Sequence, residues 1–190
     1  MSLVRYVIAG AVALVAISSL AKAQDQASIF ALRSVWQDQG GKLEGLDGLK
    51  GKTTVMTLFY AGCQTVCPLA VAEMQGLERQ LPAATREKVR FVLVSLDPLH
   101  DKPKLLMQFA DARHLDARRW KLLNGAPDDV RDLAAVLDIH YRLLKSGEIP
   151  HDAAVFLIDG SGIVRERIAD LRANRDASVV TLNNLVSTGP

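Results

Sequence analysis

Two cysteines are all this 190-residue chain has, and its aromatic residues amount to only 5 %. Neither a disulfide-stapled scaffold nor a multi-cysteine zinc framework can be built from so few thiols. No internal repeat, low-complexity tract or long Gly/Ser/Pro linker interrupts the sequence, which argues for one domain rather than a solenoid or a string of modules. Charge of one sign is also scarce. The formal net charge is +2, with 23 Lys and Arg against 21 Asp and Glu. No basic patch asks for nucleic acid.

Even that small excess belongs to the N-terminus, "MSLVRYVIAGAVALVAISSLAKAQDQ". Arg5 forms a basic start, Tyr6 to Leu20 an uncharged and largely apolar run, and Ala21-Lys22-Ala23 a small-x-small cleavage site. Residues 1–23 therefore read as a secretory signal peptide, with an uncleaved anchor as the alternative reading. The run falls short of the roughly 20 residues a membrane-spanning helix needs. Cleavage after Ala23 would remove two basic residues and leave residues 24–190 formally neutral. Both readings place the domain outside the cytoplasm, in or facing an oxidising compartment such as the periplasm.

Along the rest of the chain, buried-strand patterns alternate with helical ones. "TTVMTLFY" (53–60) and "VRFVLVSL" (89–96) are continuous β-branched and apolar runs, as expected of strands covered on both faces. "PLAVAEMQGLERQL" (68–81), "KPKLLMQFADARHL" (102–115) and "PDDVRDLAAVLDI" (127–139) suit helices opened by proline. "WKLLNG" is a short strand or turn and "HYRLLK" a candidate strand. "AAVFLID" and "IVRERIA" flank a Gly160-Ser161-Gly162 hairpin, and a last helix follows. Ahead of all this, "FALRSVWQDQGGKLEGLDGLKGK" suggests a short hairpin. The fold class is α/β, a mixed sheet flanked by helices.

Cys63 and Cys67 lie where a buried strand gives way to a helix, and ligands gather at such strand ends in open α/β sheets. Thioredoxin-like redox motifs separate their cysteines by two residues; here there are three. Residues four apart on a helical path share one face, about 6 Å apart at Cα. That spacing permits a disulfide and equally lets two sulfurs converge on one ion. The helix N-terminus favours thiolate, the form that attacks disulfides and binds metals. A structural staple is the plain alternative, but a loop this short removes little unfolded-state entropy. A dithiol–disulfide exchanger and a soft-metal site remain, and the second needs a third donor.

Four histidines compete for that role. His114 sits on a polar helix face and reads as a solvated surface residue. His140 shows nothing specific. His100, in "SLDPLHDKP", follows a buried strand at the sheet's carboxyl end but lies in a strongly polar turn. His151, in "EIPHDAAVFLID", precedes a buried strand and without a fold assumption is an ordinary loop histidine. Met74 reads as core packing at helical spacing rather than as a thioether ligand.

"FYAGCQTVCP", "VLVSLDPLHDKP", "WKLLNG" and "PHDAAVFLIDGSG", in this order, resemble the Sco/SenC family of thioredoxin-like copper proteins. The resemblance runs from about Trp36 to the 160–162 hairpin. It implies a thioredoxin-like domain with an added N-terminal β-hairpin, exported or membrane-tethered, and a copper site made by Cys63, Cys67 and His151. Two thiolates and an imidazole suit Cu(I), and hold Cu(II) with a weak further ligand. The implied role is assembly of the CuA centre of cytochrome c oxidase, with its copper-accepting subunit as partner. Copper delivery and reduction of the target's cysteines are the two ways of serving it, the second using Cys63 and Cys67 as the redox pair. A peroxide-reducing enzyme or redox sensor on the same fold is a third class.

Asp97 matches the family's S-x-D-P aspartate and is expected near the site as an orienting group; a loop or cap aspartate is the plainer account. Phe59 and Tyr60 are expected to wall the site or simply to pack. The chain departs from the family pattern in Ala61-Gly62 before the first cysteine, in Gln64-Thr65-Val66 between the two, and in "LIDGSG". None of these removes a donor atom.

Overall fold

The computed structural model describes residues 27–189. The leader expected over residues 1–23 lies outside them. Among the described residues no helix is long and apolar enough to cross a membrane.

One seven-stranded sheet organises the molecule, in the order β2-β1-β5-β4-β3-β6-β7. Its centre is β3 (Thr53–Phe59), buried at every position, beside β4 (Val89–Ser95), where only Arg90 is partly exposed. They pair in parallel along their full length, from Thr53 with Val89 to Phe59 with Ser95. Such continuous apolar runs are what a strand covered on both faces requires. β5 (Trp120–Gly125) extends the parallel set. The expected N-terminal hairpin forms as β1 (Trp36–Asp38) and β2 (Leu43–Glu44) and joins β5 antiparallel. At the other edge β6 (Val155–Ile158) runs antiparallel to β3, followed by β7 (Val164–Ile168).

Helices cover both faces. α1 (Val66–Gln80), α3 (Pro103–Ala112) and α5 (Asp176–Thr188) pack on one side, over Val55, Phe59, Phe91, Leu93, Trp120 and Leu157. α4 (Pro127–Val136) and the N-terminal segment, with 3-10 turns at Ile29–Ala31 and Leu46–Leu49, pack on the other. A single short turn, α2 (Ala83–Arg86), links α1 to β4. The few aromatics are concentrated inside: Trp36, Trp120, Phe59, Phe91 and Phe156 are all fully buried. Met74 is fully buried in the core.

Two expectations are revised. "HYRLLK" is not a strand. Tyr141 forms one isolated bridge with His151, and the chain then turns back at Gly147, whose φ of +86° glycine adopts without strain. The helix at 102–115 ends at Ala112, and His114 stands beyond it at a φ of +54°. The pattern overran the helix because Leu115, still apolar in period, is buried after the helix has ended.

Candidate functional site

The antiparallel pairing of β3 with β6 decides what meets at the carboxyl end of β3. The chain leaving β3 enters the cysteine turn there, and the chain about to enter β6 carries His151. A hydroxyl reinforces this join: Thr57 Oγ1 donates to the carbonyl of Ala154 at 2.7 Å. Residues 84 positions apart are thus brought into contact, with Cys67 Sγ 3.5 Å from His151 Nε2.

The helix begins two residues earlier than its apolar pattern suggests, at Val66, so Cys67 lies in the first turn and Cys63 before it. The opening N–H groups of a helix lack intrahelical partners. Thr65, at the cap position, supplies no side-chain bond. Cys63 Sγ does so instead, accepting the Cys67 N–H at 3.4 Å, with Thr65 Oγ1 3.9 Å away. The three intervening residues let the first sulfur fold back over the helix start. A further bond, Cys63 N–H to the Tyr60 carbonyl at 3.1 Å, closes the turn.

These contacts make the two thiols unequal. Burial opposes ionisation of Cys63, but hydrogen bonds from the Cys67 side chain and backbone and from Thr65 outweigh it, and its pKa falls below that of an ordinary thiol. Burial, reinforced by the hydrogen bond with Cys63 and the nearby charges of Cys63 and Asp101, drives the Cys67 thiol far upward. An open cavity of about 410 Å³ is lined by Cys63, Gln64, Thr65, Glu148, Pro150 and His151, among others, but not by Cys67. The outer thiol is therefore the ready nucleophile and the inner one its protonated neighbour. A sub-stoichiometric pulse of iodoacetamide should modify Cys63 first. The midpoint of its rate against pH should lie well below that of Cys67, as peptide mass mapping across pH 6 to 9 would show. Equal labelling of both cysteines would contradict the asymmetry.

The imidazole of His151 is held in one tautomer. Its Nδ1 lies 2.8 Å from the Ile149 carbonyl, which can only accept, so Nδ1 carries the proton. In the neutral ring Nε2 then presents its lone pair to Cys67 Sγ. Tyr60 stands edge-on to the ring, centroids 5.9 Å apart, and burial raises the pKa of its phenol. Phe59 packs in the core against Phe109.

Cys63, Cys67 and His151, the three residues the family resemblance names, thus lie at the same end of the sheet. Asp97 is not joined to them: its carboxylate bonds His100 Nδ1 at 2.8 and 2.9 Å, and the Ser95 hydroxyl accepts its N–H. His140 pairs with Asp152 at 3.0 Å on the exposed side. The carboxylate that does reach the cysteine turn is Asp101, which sequence reasoning passed over. Its Oδ2 accepts the Ala61 N–H at 3.0 Å and the Ser95 hydroxyl at 2.6 Å. Its signal is its place as the second aspartate of "SLDPLHDKP", four residues after Asp97 and two before a helix-opening proline. Among the described residues no three His, Cys, Asp or Glu side chains already surround one point in ligand geometry.

The family described as SCO1/SenC matches residues 22–187 of the sequence. This chain belongs to the SCO1/SenC family. The SCO1 homologue of Bacillus subtilis is 31 % identical over 134 residues, covering 68 % of each chain. A Stutzerimonas stutzeri protein described as copper-binding is 34 % identical over 92 residues, 45 % of each. Among solved structures, a SCO1/SenC lipoprotein of Bacillus anthracis superposes with a TM-score of 0.73 at 28 % identity, over 81 % of this chain and 94 % of that one. Bradyrhizobium japonicum ScoI with copper bound gives a TM-score of 0.69 at 23 % identity, covering 80 % of this chain and 96 % of that one, a likeness of fold. The sheet and its flanking helices are those of the thioredoxin-like SCO1/SenC proteins.

Proposed function

We propose that this protein is a copper-binding metallochaperone that assists assembly of the CuA centre of a respiratory copper oxidase. In this reading it is exported, or anchored facing the periplasm, and its partner is the copper-accepting subunit. The contact of Cys67 Sγ with His151 Nε2 carries the proposal. Thiol exchange needs no such imidazole, whereas a soft metal site does.

The residues fit the cargo by donor chemistry. Two sulfurs and one neutral imidazole nitrogen suit Cu(I), and copper is the ion associated with relatives of this chain. His151 has its Nδ1 proton on the Ile149 carbonyl, which leaves Nε2 as the donor and fixes the ring's aim. Cys63 and His151 both line the open cavity, so they would meet an incoming ion before Cys67. To join Cys67 and His151, Cys63 must release the Cys67 N–H. Cys63, whose pKa is lowered, is the thiol that ionises more readily, and Cys67 must lose its proton to solvent or buffer as the ion binds, since His151 Nε2 is needed as a donor.

A second reading, reduction of the partner's cysteines, is favoured by the inequality of the two thiols. Cys63 thiolate would attack a disulfide of the partner, forming a mixed disulfide and releasing one partner thiolate. Cys67, once deprotonated, would then displace the second partner sulfur and leave Cys63–Cys67 oxidised, a two-electron exchange. The two readings share one pair of atoms, and a cysteine pair in the disulfide form cannot hold the ion.

The test is Cu(I) titration of the reduced protein against a competing chelator, beside Cys63→Ser and Cys67→Ser. One copper per chain is expected, with either serine variant losing it. Unaltered copper content in both variants would remove the metal role.

A further inference from the structure

Asp101 is only 2 % exposed, a costly place for a carboxylate. It is fixed from three sides. Its side chain holds Ser95 and Ala61, its N–H donates to the Asp97 carbonyl at 2.9 Å, and its carbonyl accepts from Asn124 Nδ2 on β5 at 2.5 Å. Ala61 lies inside the turn closed by the Cys63 N–H to Tyr60 bond. The cysteine turn is therefore fastened through Asp101 to the ends of β4 and β5, strands that do not carry the cysteines.

We propose that Asp101 is a positioning residue for Cys63, clamping the Ala61–Cys63 turn so that the first sulfur stays over the helix start, within reach of both the second sulfur and the cavity. This rests on Cys63 and Cys67 acting together, as ligands or as a redox pair. Its chemical content is restraint. A carboxylate oxygen that accepts two donors at once orders the turn before the sulfurs bond to each other or to an ion, and that ordering lowers the cost of either event. Asn can accept the same two donors through Oδ1. Ala cannot.

The experiment is the equilibrium of Cys63 and Cys67 with a glutathione redox buffer, read by alkylation and mass on the purified full chain. Two glutathione thiols give up two electrons and two protons as the protein disulfide becomes a dithiol. Asp101→Ala should disfavour the disulfide about tenfold, which is ~30 mV for a two-electron couple, and should change the absorption of the copper-loaded protein. Asp101→Asn should stay within about threefold of wild type, a rescue that a charge effect would not give. Ser95→Ala, which takes one donor from the clamp, should shift in the same direction by a smaller factor and serves if Asp101→Ala fails to fold. An unshifted equilibrium in Ser95→Ala or in folded Asp101→Ala, or an Asn variant as impaired as the Ala variant, would overturn the proposal. The glutathione equilibrium needs no copper, so a wild type that takes up no metal would refute the chaperone reading and still leave this test decisive.

Discussion

His151→Ala is expected to weaken copper(I) binding by at least about 100-fold while leaving both thiols titratable. Loss of a mere outer partner of a ligand costs roughly 10–100-fold in metal affinity, and losing a donor atom should cost no less. The substitution removes the nitrogen that faces Cys67 Sγ at 3.5 Å and leaves two sulfurs alone. Structurally it is mild. The ring is only half-buried and gives up two hydrogen bonds, to the Ile149 carbonyl and with Cys67 Sγ, each worth about 1 kcal/mol of stability. A small change in unfolding midpoint with a large change in affinity is therefore the signature of a ligand. Competition titration with a Cu(I) chelator measures the affinity, and a thiol reagent counts the cysteines. Affinity preserved within a few-fold would take the imidazole out of the site.

Arg175→Ala should be strongly damaging although remote from the sulfurs, costing about 3 kcal/mol at pH 7, since removing one partner of a buried ion pair strands the other. Glu73, on α1, is 2 % exposed, and Arg175 Nε lies 2.7 Å from its Oε2. The hydrogen is not aimed along that line, so neither atom has a hydrogen-bond partner and the attraction is chiefly coulombic. Gly76 makes the approach possible, because a Cβ there would run into the guanidinium. The pair joins α1, which carries Cys67, to the start of α5. Burial raises the Glu73 pKa, with Arg175 opposing and Asp170 adding to the rise.

The sign of the pH dependence follows. A carboxyl whose folded pKa exceeds its unfolded value contributes its full stability below the unfolded value, near 4.3. That contribution is lost as pH rises through the folded value. Without Arg175 the folded value rises further, so the penalty should be largest at neutral pH and should shrink towards pH 4. Urea unfolding at pH 4.5 and pH 7 measures it. A shift of about 6–12 °C in thermal midpoint at pH 7 is the equivalent thermal reading, at roughly 2–4 °C per kcal/mol for a chain of this size. A penalty independent of pH would mean that Arg175 acts by packing alone.

Much of the fold is written in hydrophobic period. β3 and β4 read as buried because they are, at nearly every position, and Pro103 and Pro127 mark the first residues of α3 and α4. What failed was local signal overridden by long-range contact. Residues 140–145 have a strand-like composition, yet Tyr141 finds only His151 to pair with. The site shows the same division. Cys63 and Cys67 announce themselves by spacing, but His151 becomes special only when antiparallel pairing of β6 with β3 brings it beside Cys67. Asp97 and Asp101 are indistinguishable as letters. The turn from 97 to 101 sends the first carboxylate to His100 and the second inward to Ala61, a choice of direction that spacing alone does not encode.

X-ray absorption at the copper edge of the loaded protein is the most direct measurement. One metal bonded to two sulfurs and one imidazole nitrogen is the predicted environment, with the nitrogen contribution gone in His151→Ala. A shell of oxygen and nitrogen only, or a sulfur shell that the histidine variant leaves unaltered, would contradict it.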